Sequence, residues 1–219
     1  MRRQTKVAVV AAAVLAVAAV VLGLVSQSRL DENEPVAAAS AGEDAVVRDE
    51  SRTLGEPAST GVTFVEFLDF ECEACRAAFP IVEGLREEYA GDVTFVIRYF
   101  PLPGHFNAER AARAVESAAR QGELEAMYTQ MYETQSMWGE SREPQDELFR
   151  SFAEDLGLDM QQYDADYTSE EVADRVQRDV EDGRSLGVQG TPTFFVDGEP
   201  FLPETVEDFT EVLDEALAG

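Results

Sequence analysis

Residues 61–100 change their hydrophobic period twice, and this pattern constrains the fold more than any other feature of the chain. Residues 62–68 form a β-rich apolar run with a single acid, which predicts a buried strand. Residues 71–89 carry apolar side chains at helical spacing, and residues 93–100 predict a second strand. A strand–helix–strand order implies a parallel crossover unit and a sheet that is covered by helices.

The rest of the chain continues this α/β pattern. Four helices are predicted at residues 107–120, 123–137, 145–156 and 168–186. They are followed by a strand at 193–196, a hairpin turn at Asp197-Gly198, a short return at 201–202 and an amphipathic helix at 204–217. The sequence therefore predicts two βα-type halves around an all-helical insertion at about residues 105–187.

The N-terminus has the pattern of a membrane anchor. Three basic residues precede an uncharged run of Ala, Val, Leu and Gly at residues 7–25, which as a helix would be about 28 Å long. We expect residues 1–25 to be a single-pass anchor in the cell membrane, with the N-terminus cytoplasmic and the rest extracytoplasmic. A cleaved signal, giving a secreted or periplasmic protein, is the alternative, but the run exceeds the usual signal core of roughly 7–15 residues.

Charge and composition define the remaining organisation. Residues 26–58 are small, polar and acidic, which predicts a flexible linker before a domain at 59–219. The formal net charge of −27 disfavours nucleic-acid binding, because an acidic surface repels phosphates. The acidity is typical of a surface that stays hydrated in salt.

Cys72 and Cys75 are separated by two residues at the predicted strand-to-helix junction. The start of a helix favours a thiolate, the attacking species in disulfide exchange, so Cys72 is the candidate nucleophile and Cys75 the resolving thiol. A structural metal site is the first alternative, but it needs about four ligands and the chain has two cysteines and one histidine, His105. A static disulfide and inert buried thiols are the others. No cofactor and no metal are predicted, and His105 is expected to have a loop-capping or surface role.

Glu66 lies six residues before Cys72, within an otherwise apolar strand. The pattern predicts a buried carboxyl with a raised pKa that exchanges a proton during the reaction. The alternative is a residue on an edge strand that points to solvent.

Three segments resemble the DsbA-like branch of the thioredoxin superfamily. They are FLDFECEAC at residues 67–75, RYFPLPGH at 98–105 and GTPTFF at 190–195. The resemblance covers about residues 61–217 and implies a thioredoxin fold with an inserted helical subdomain. It also implies a buried acid at Glu66, a cis Pro192 facing the cysteines, and pairing of the Thr191 backbone with the substrate peptide.

The dipeptide between the cysteines departs from that branch, since strong oxidants of the family carry Pro-His where this chain has Glu73-Ala74. Glu71 and Glu73 are expected to place negative charge beside Cys72 and to oppose its ionisation. We therefore predict a Cys72 pKa above that of DsbA and a less oxidising pair.

The sequence thus predicts an extracytoplasmic protein thiol–disulfide oxidoreductase, most simply one that forms disulfides. Its predicted partners are reduced or misoxidised extracytoplasmic polypeptides, a quinone-linked membrane protein that reoxidises the pair, and the membrane itself. A disulfide reductase or isomerase is the alternative within the class. A non-catalytic binding module on a thioredoxin scaffold is the alternative outside it.

Overall fold

The computed structural model describes residues 43–219. The strands are β1 (Arg52–Leu54), β2 (Thr63–Leu68), β3 (Thr94–Tyr99), β4 (Thr193–Val196) and β5 (Glu199–Phe201). The first helices are α1 (Glu43–Val46), α2 (Glu73–Glu88), α3 (Ala108–Ala119) and α4 (Leu124–Trp138). The remaining helices are α5 (Asp146–Asp155), α6 (Met160–Tyr167), α7 (Glu170–Ser185) and α8 (Glu207–Ala218).

The strands form one sheet in the order β1-β3-β2-β4-β5. β2 and β3 are parallel, in a register that runs from Thr63 opposite Thr94 to Leu68 opposite Tyr99. The other three pairings are antiparallel. The predicted parallel crossover through α2 is therefore confirmed, and β2 lies at the centre of the sheet.

Alternation along β2 divides the core between the two faces of the sheet. Phe64 and Leu68 belong to the larger cluster, which also contains Cys75 and side chains from α2, α4 and α8. Val65 and Phe67 belong to a smaller cluster with side chains from α7 and α1. The cysteines and the Arg98 side chain of β3 consequently lie on opposite faces.

The predicted helical insertion is confirmed, with α3 to α7 lying between β3 and β4. Within the insertion, helix α6 was not predicted. It begins after Asp159, whose carboxylate accepts hydrogen bonds from the N–H groups of Gln161 and Gln162. Only Tyr163 of this helix is buried, so the segment lacks the apolar period that reveals the other helices.

The predicted boundary between linker and domain, at residue 58, is wrong. β1 pairs antiparallel with β3, and Leu54 is buried. The charged Arg52 interrupts the apolar pattern of this strand, so the sequence alone does not predict it. In the fold its guanidinium pairs with Glu116 of α3, with Nε 2.9 Å from Oε2. Val46 of α1 is buried as well. The folded unit therefore includes residues that composition alone assigns to the linker.

The predicted anchor at residues 7–25 lies outside the described part of the chain. Between residues 43 and 219, no helix combines the length and apolar character needed to cross a bilayer.

Candidate active site

The two cysteines lie where β2 leads into α2. Cys72 is the N-cap residue of α2, with extended backbone angles, and Cys75 lies one turn inside the helix. Both thiols are free; Cys72 is 7% exposed and Cys75 is fully buried. The sulfur of Cys72 is thus the one that a substrate can reach, as the predicted division of roles requires.

The surroundings of Cys72 favour its thiolate. A hydrogen bond from the Cys75 thiol lowers the pKa of Cys72 to about 5 and outweighs the opposing effect of burial. The Thr191 side chain and the backbone N–H groups of Ala74 and Cys75 lower it further. The Cys75 thiol therefore contributes most, and the backbone N–H groups of the first turn of α2, which the sequence pattern predicts as donors, contribute less.

The surroundings of Cys75 have the opposite effect. Burial raises the pKa of Cys75 well above its ordinary value, and the hydrogen bond to Cys72 and the charges of Glu66 and Cys72 raise it further. At neutral pH one thiol of the pair is therefore ionised and the other is protonated.

The loop before β4 faces the cysteines across the site. The Thr191–Pro192 peptide bond is cis, as predicted. When Cys72 is protonated its thiol donates to the Thr191 carbonyl, with Sγ 3.4 Å from the oxygen. The Thr191 hydroxyl is buried and has no hydrogen-bond partner within residues 43–219. The Thr191 carbonyl thus accepts from the thiol, and the otherwise unpartnered hydroxyl is a donor available to the thiolate.

Glu66 lies on the face of β2 that packs into the larger core cluster, the one containing Cys75, and its side chain is 2% exposed. Burial raises its pKa to about 8, and the charges of Cys72 and Glu83 add to the shift. The alternative of a solvent-facing edge position is wrong, because the edges of the sheet are β1 and β5. A carboxyl with this pKa is mostly protonated at pH 7 and can return its proton to a nearby thiolate.

The prediction that the charges of Glu71 and Glu73 oppose ionisation of Cys72 is wrong. The Glu71 side chain is buried, and its carboxylate accepts a hydrogen bond from the Asn107 N–H at 2.6 Å. Neither Glu71 nor Glu73 is among the main influences on Cys72, and Glu73 is exposed. The pKa of about 5 is nevertheless above the roughly 3.5 of DsbA.

Sequence reasoning missed two sets of contacts around the turn that carries Cys72. Gln135 of α4 donates to the carbonyls of Phe70 and Cys72, at 2.7 and 2.9 Å. Asp69 is buried and lies 2.6 Å from the His105 ring, measured from Oδ2 to Nδ1. The position of Asp69 beside the cysteine motif could have indicated its contact with His105. No feature of the sequence indicates the contacts of Gln135.

Comparison with known proteins extends these observations. The thioredoxin family model matches residues 48–215, which is most of the chain. The chain belongs to the thioredoxin family. A thioredoxin-like oxidoreductase from Silicibacter pomeroyi DSS-3 is 28% identical, with 81% of this chain and 99% of that one covered at a TM-score of 0.67.

The fold is shared with a DsbA-like protein. The thiol-disulfide exchange protein alpha-DsbA2 from Wolbachia pipientis is 19% identical, with 82% of this chain and 94% of that chain covered at a TM-score of 0.68. The predicted thioredoxin fold is confirmed, and the predicted oxidoreductase class agrees with the Silicibacter protein.

Curated relatives match over a different extent. The Na(+)/H(+) antiporter NhaA of Herminiimonas arsenicoxydans is 35% identical over 146 residues, which are 65% of this chain and 22% of that protein. The chain thus spans less than a quarter of the length of this antiporter.

Proposed function

We propose that this chain is an extracytoplasmic protein thiol–disulfide oxidoreductase. Cys72 forms the mixed disulfide with the substrate, and Cys75 is the thiol that resolves it. The observation that carries the proposal is the opposite ionisation of the two thiols at the start of α2, with a pKa of about 5 at Cys72 and a strongly raised pKa at Cys75. Such a pair has one good leaving group, on the less buried of the two cysteines, and one thiol that stays protonated.

Disulfide formation in a substrate follows from this asymmetry. A substrate thiolate attacks Cys72 in the Cys72–Cys75 disulfide, so that a mixed disulfide forms and Cys75 leaves as a thiolate. Protonated Glu66, whose charge raises the pKa of Cys75, is the proposed donor of this proton. A second substrate thiolate then attacks the substrate sulfur of the mixed disulfide and releases the Cys72 thiolate. The substrate loses two electrons, and the cysteine pair gains them.

The direction of electron flow follows from the stability of the released thiolate. A low pKa at Cys72 stabilises the reduced pair, and this makes its disulfide a better oxidant. We therefore place disulfide formation first, with reduced or misoxidised extracytoplasmic polypeptides as substrates and a quinone-linked membrane protein as the electron acceptor. Because the pKa exceeds that of DsbA, a reductase or isomerase is the second candidate.

The proposed location rests on the apolar run at residues 7–25 and the basic residues before it. We infer an N-terminal anchor with the redox domain outside the cytoplasm, where disulfides persist. Ion antiport belongs to relatives of which this chain spans less than a quarter, and it is no part of the proposal.

Two assays on one set of variants test the reaction. Wild type should catalyse oxidative refolding of a reduced, unfolded protein faster than it catalyses insulin reduction by a thiol. The Cys72→Ala variant should lose both activities, and the Cys75→Ala variant should accumulate mixed disulfides with substrates. A faster insulin reaction would favour the reductase. Unchanged activity in Cys72→Ala would leave only a binding module.

Labelling of intact cells tests the location. A membrane-impermeant maleimide should modify Cys72 of the reduced full-length chain without permeabilisation, and the chain should stay with the membrane fraction after an alkaline wash. Cys72→Ala is the control for labelling at Cys75. Labelling only after permeabilisation would contradict the extracytoplasmic assignment, and recovery in the soluble fraction would contradict the anchor.

A further inference from the structure

A second ionisable pair, Asp69 and His105, lies against the turn that carries Cys72. The Asp69 carboxylate is fully buried and accepts three contacts: the Glu71 N–H at 2.8 Å, the Leu102 N–H at 2.9 Å and the His105 ring at 2.6 Å. These contacts join the active-site turn to the loop after β3. Since the carboxylate has backbone donors of its own, its position does not depend on the histidine.

Asp69, the acid of the pair, is close to the nucleophile in the chain and in space. The Asp69 carbonyl accepts the Cys72 N–H at 3.1 Å, so the acid and the cysteine share one backbone turn. The His105 side chain is about one-fifth exposed, at 21%. It lines a cavity of about 200 Å³ together with Glu71. The imidazole can therefore exchange protons with solvent while its Nδ1 is held by the Asp69 carboxylate.

The charges around His105 favour its cationic form. Burial lowers the pKa of His105, but the hydrogen bond to Asp69 and the charges of Asp69, Glu71 and Cys72 outweigh this effect and raise it above 6.5. The other charged side chains that line the two cavities beside it are Glu109, Arg110, Glu140, Arg142, Asp174 and Arg184. The buried carboxyl in contact with it is that of Asp69, and the buried Glu71 lines the same cavity.

Electrostatic coupling between two sites is reciprocal. Because ionised Cys72 stabilises the His105 cation, the cation stabilises the Cys72 thiolate by the same free energy. The local donors from Cys75, Thr191 and the α2 backbone dominate at Cys72, so the contribution of His105 is the smaller one. Within the active-site segment the residues between the cysteines are Glu73 and Ala74, which supply no cation.

We infer that His105, held by Asp69, is a positioning residue that stabilises the Cys72 thiolate and couples reduction of the cysteine pair to proton uptake. The inference rests on the proposed function, since it concerns the same cysteine pair. In the disulfide form Cys72 has no charge, and the histidine holds its proton less tightly. Reduction adds two electrons, places one proton on Cys75 and leaves Cys72 as a thiolate. Near neutral pH His105 then takes up a further fraction of a proton from solvent.

The test compares three variants of the full-length protein. His105→Gln removes the cation, His105→Arg keeps a cation that does not titrate, and Arg178→Gln removes a surface cation that is half-exposed on α7. Two quantities are measured for each: the pH titration of thiolate absorbance at Cys72, and the equilibrium constant with glutathione between about pH 5.5 and 8.5. The second gives the number of protons bound per pair reduced.

We expect His105→Gln to make the disulfide about threefold less oxidising below pH 7, and a threefold change is about 15 mV because tenfold is about 30 mV. Proton uptake per pair should fall to about one at pH 7, apart from the contribution of Glu66, which is common to all variants. His105→Arg should keep the wild-type Cys72 titration at pH 6 but lose the extra proton uptake. Arg178→Gln should behave as wild type.

Two results would overturn the inference. One is an unchanged Cys72 titration and unchanged proton uptake in a folded His105→Gln protein. The other is a His105→Arg protein that matches His105→Gln, because a purely structural role of the imidazole would then explain both. The absorbance titration needs no protein substrate, so it decides the role of His105 even if the wild type fails to oxidise or reduce polypeptides and the proposed function falls.

Discussion

Glu66 and Arg98 are charged residues on neighbouring central strands, and both are almost completely buried, at 2% and 0% exposure. Their surroundings differ. Arg98 points to the α7 face, where Nε lies 2.5 Å from Asp179 and Nη1 donates to the carbonyls of Val46 and Ala45 at 2.6 and 2.9 Å. Its guanidinium also pairs with Asp182 and lies over the Phe67 ring. Glu66 points to the opposite, cysteine-bearing face and no cation pairs with it among residues 43–219.

The difference separates a structural charge from a chemical one. A buried charge whose hydrogen-bonding capacity is used joins the elements around it, here β3, α7 and α1. Burial without a counter-charge raises the pKa of a carboxyl, so the group stays protonated at neutral pH. Its ionisation at higher pH destabilises the fold. We interpret Arg98 as part of the scaffold and Glu66 as retained for proton transfer.

The largest expected effect comes from Arg98→Met. It leaves Asp179 and Asp182 as buried acids without their shared cation, and breaking such a network typically costs about 3–5 kcal/mol. Urea unfolding at pH 7 measures the loss. As the matched control, Arg98→Met combined with Asp179→Leu should recover part of the stability. A loss below about 1 kcal/mol would contradict the structural role of Arg98.

The next effect has the opposite sign. The pKa of Glu66 is about 8 in the folded protein, against an ordinary value of 4.5 for a glutamate in water, and each unit of difference is worth about 1.4 kcal/mol. Wild-type stability from this group is complete below about pH 4.5 and falls as the pH rises towards 8. Glu66→Gln should therefore stabilise the protein by about 3 kcal/mol at pH 7, and by almost nothing at pH 4, as measured by urea unfolding at the two pH values.

Catalysis should move against stability in the same variant. Loss of a general acid typically costs at least about a hundredfold in the proton-transfer step, so Glu66→Gln should slow disulfide exchange even though the fold is more stable. The exposed Glu109→Gln is the control for removal of one carboxylate. Glu66→Gln with wild-type turnover, or with a stability gain that does not depend on pH, would refute the proton role.

The sequence predicts Glu66 better than Arg98 for a physical reason. An acid inside an apolar strand next to a cysteine pair is visible locally, and so is the start of α2. The role of Arg98 depends on Asp179 and Asp182, which lie in a helix far along the chain and look like a solvent-exposed acidic pattern. The prediction of a cis Pro192 came from family resemblance, because no local pattern fixes that bond.

The misses in the fold and in the site have the same origin. β1 is only three residues long and depends on its pairing with β3. Its own composition therefore does not distinguish it from a linker. Glu71 is adjacent to Cys72 in sequence, yet its side chain is directed to the Asn107 N–H. Proximity along the chain predicts which residues can interact, whereas tertiary contacts decide the direction of each side chain.

The smallest effect concerns the outer edge of the Arg98 network. Arg48 also pairs with Asp182, with Nη2 2.6 Å from Oδ1, but its side chain is 37% exposed. Water screens such a pair, so Arg48→Gln should cost about 1 kcal/mol or less at pH 7. Burial opposes ionisation of Asp182, but Arg48 and Arg98 together hold its pKa below 3.8.

A depressed acid pKa gives stability that is present above the unfolded pKa and is lost as the pH falls through the folded one. The Arg48→Gln protein should therefore lose stability at a slightly higher pH during acid unfolding. Thermal unfolding between about pH 2.5 and 7, repeated in high salt, measures this shift. A loss as large as that of Arg98→Met would place Arg48 inside the structural network, and the segment after α1 would then be as essential to the fold as α7.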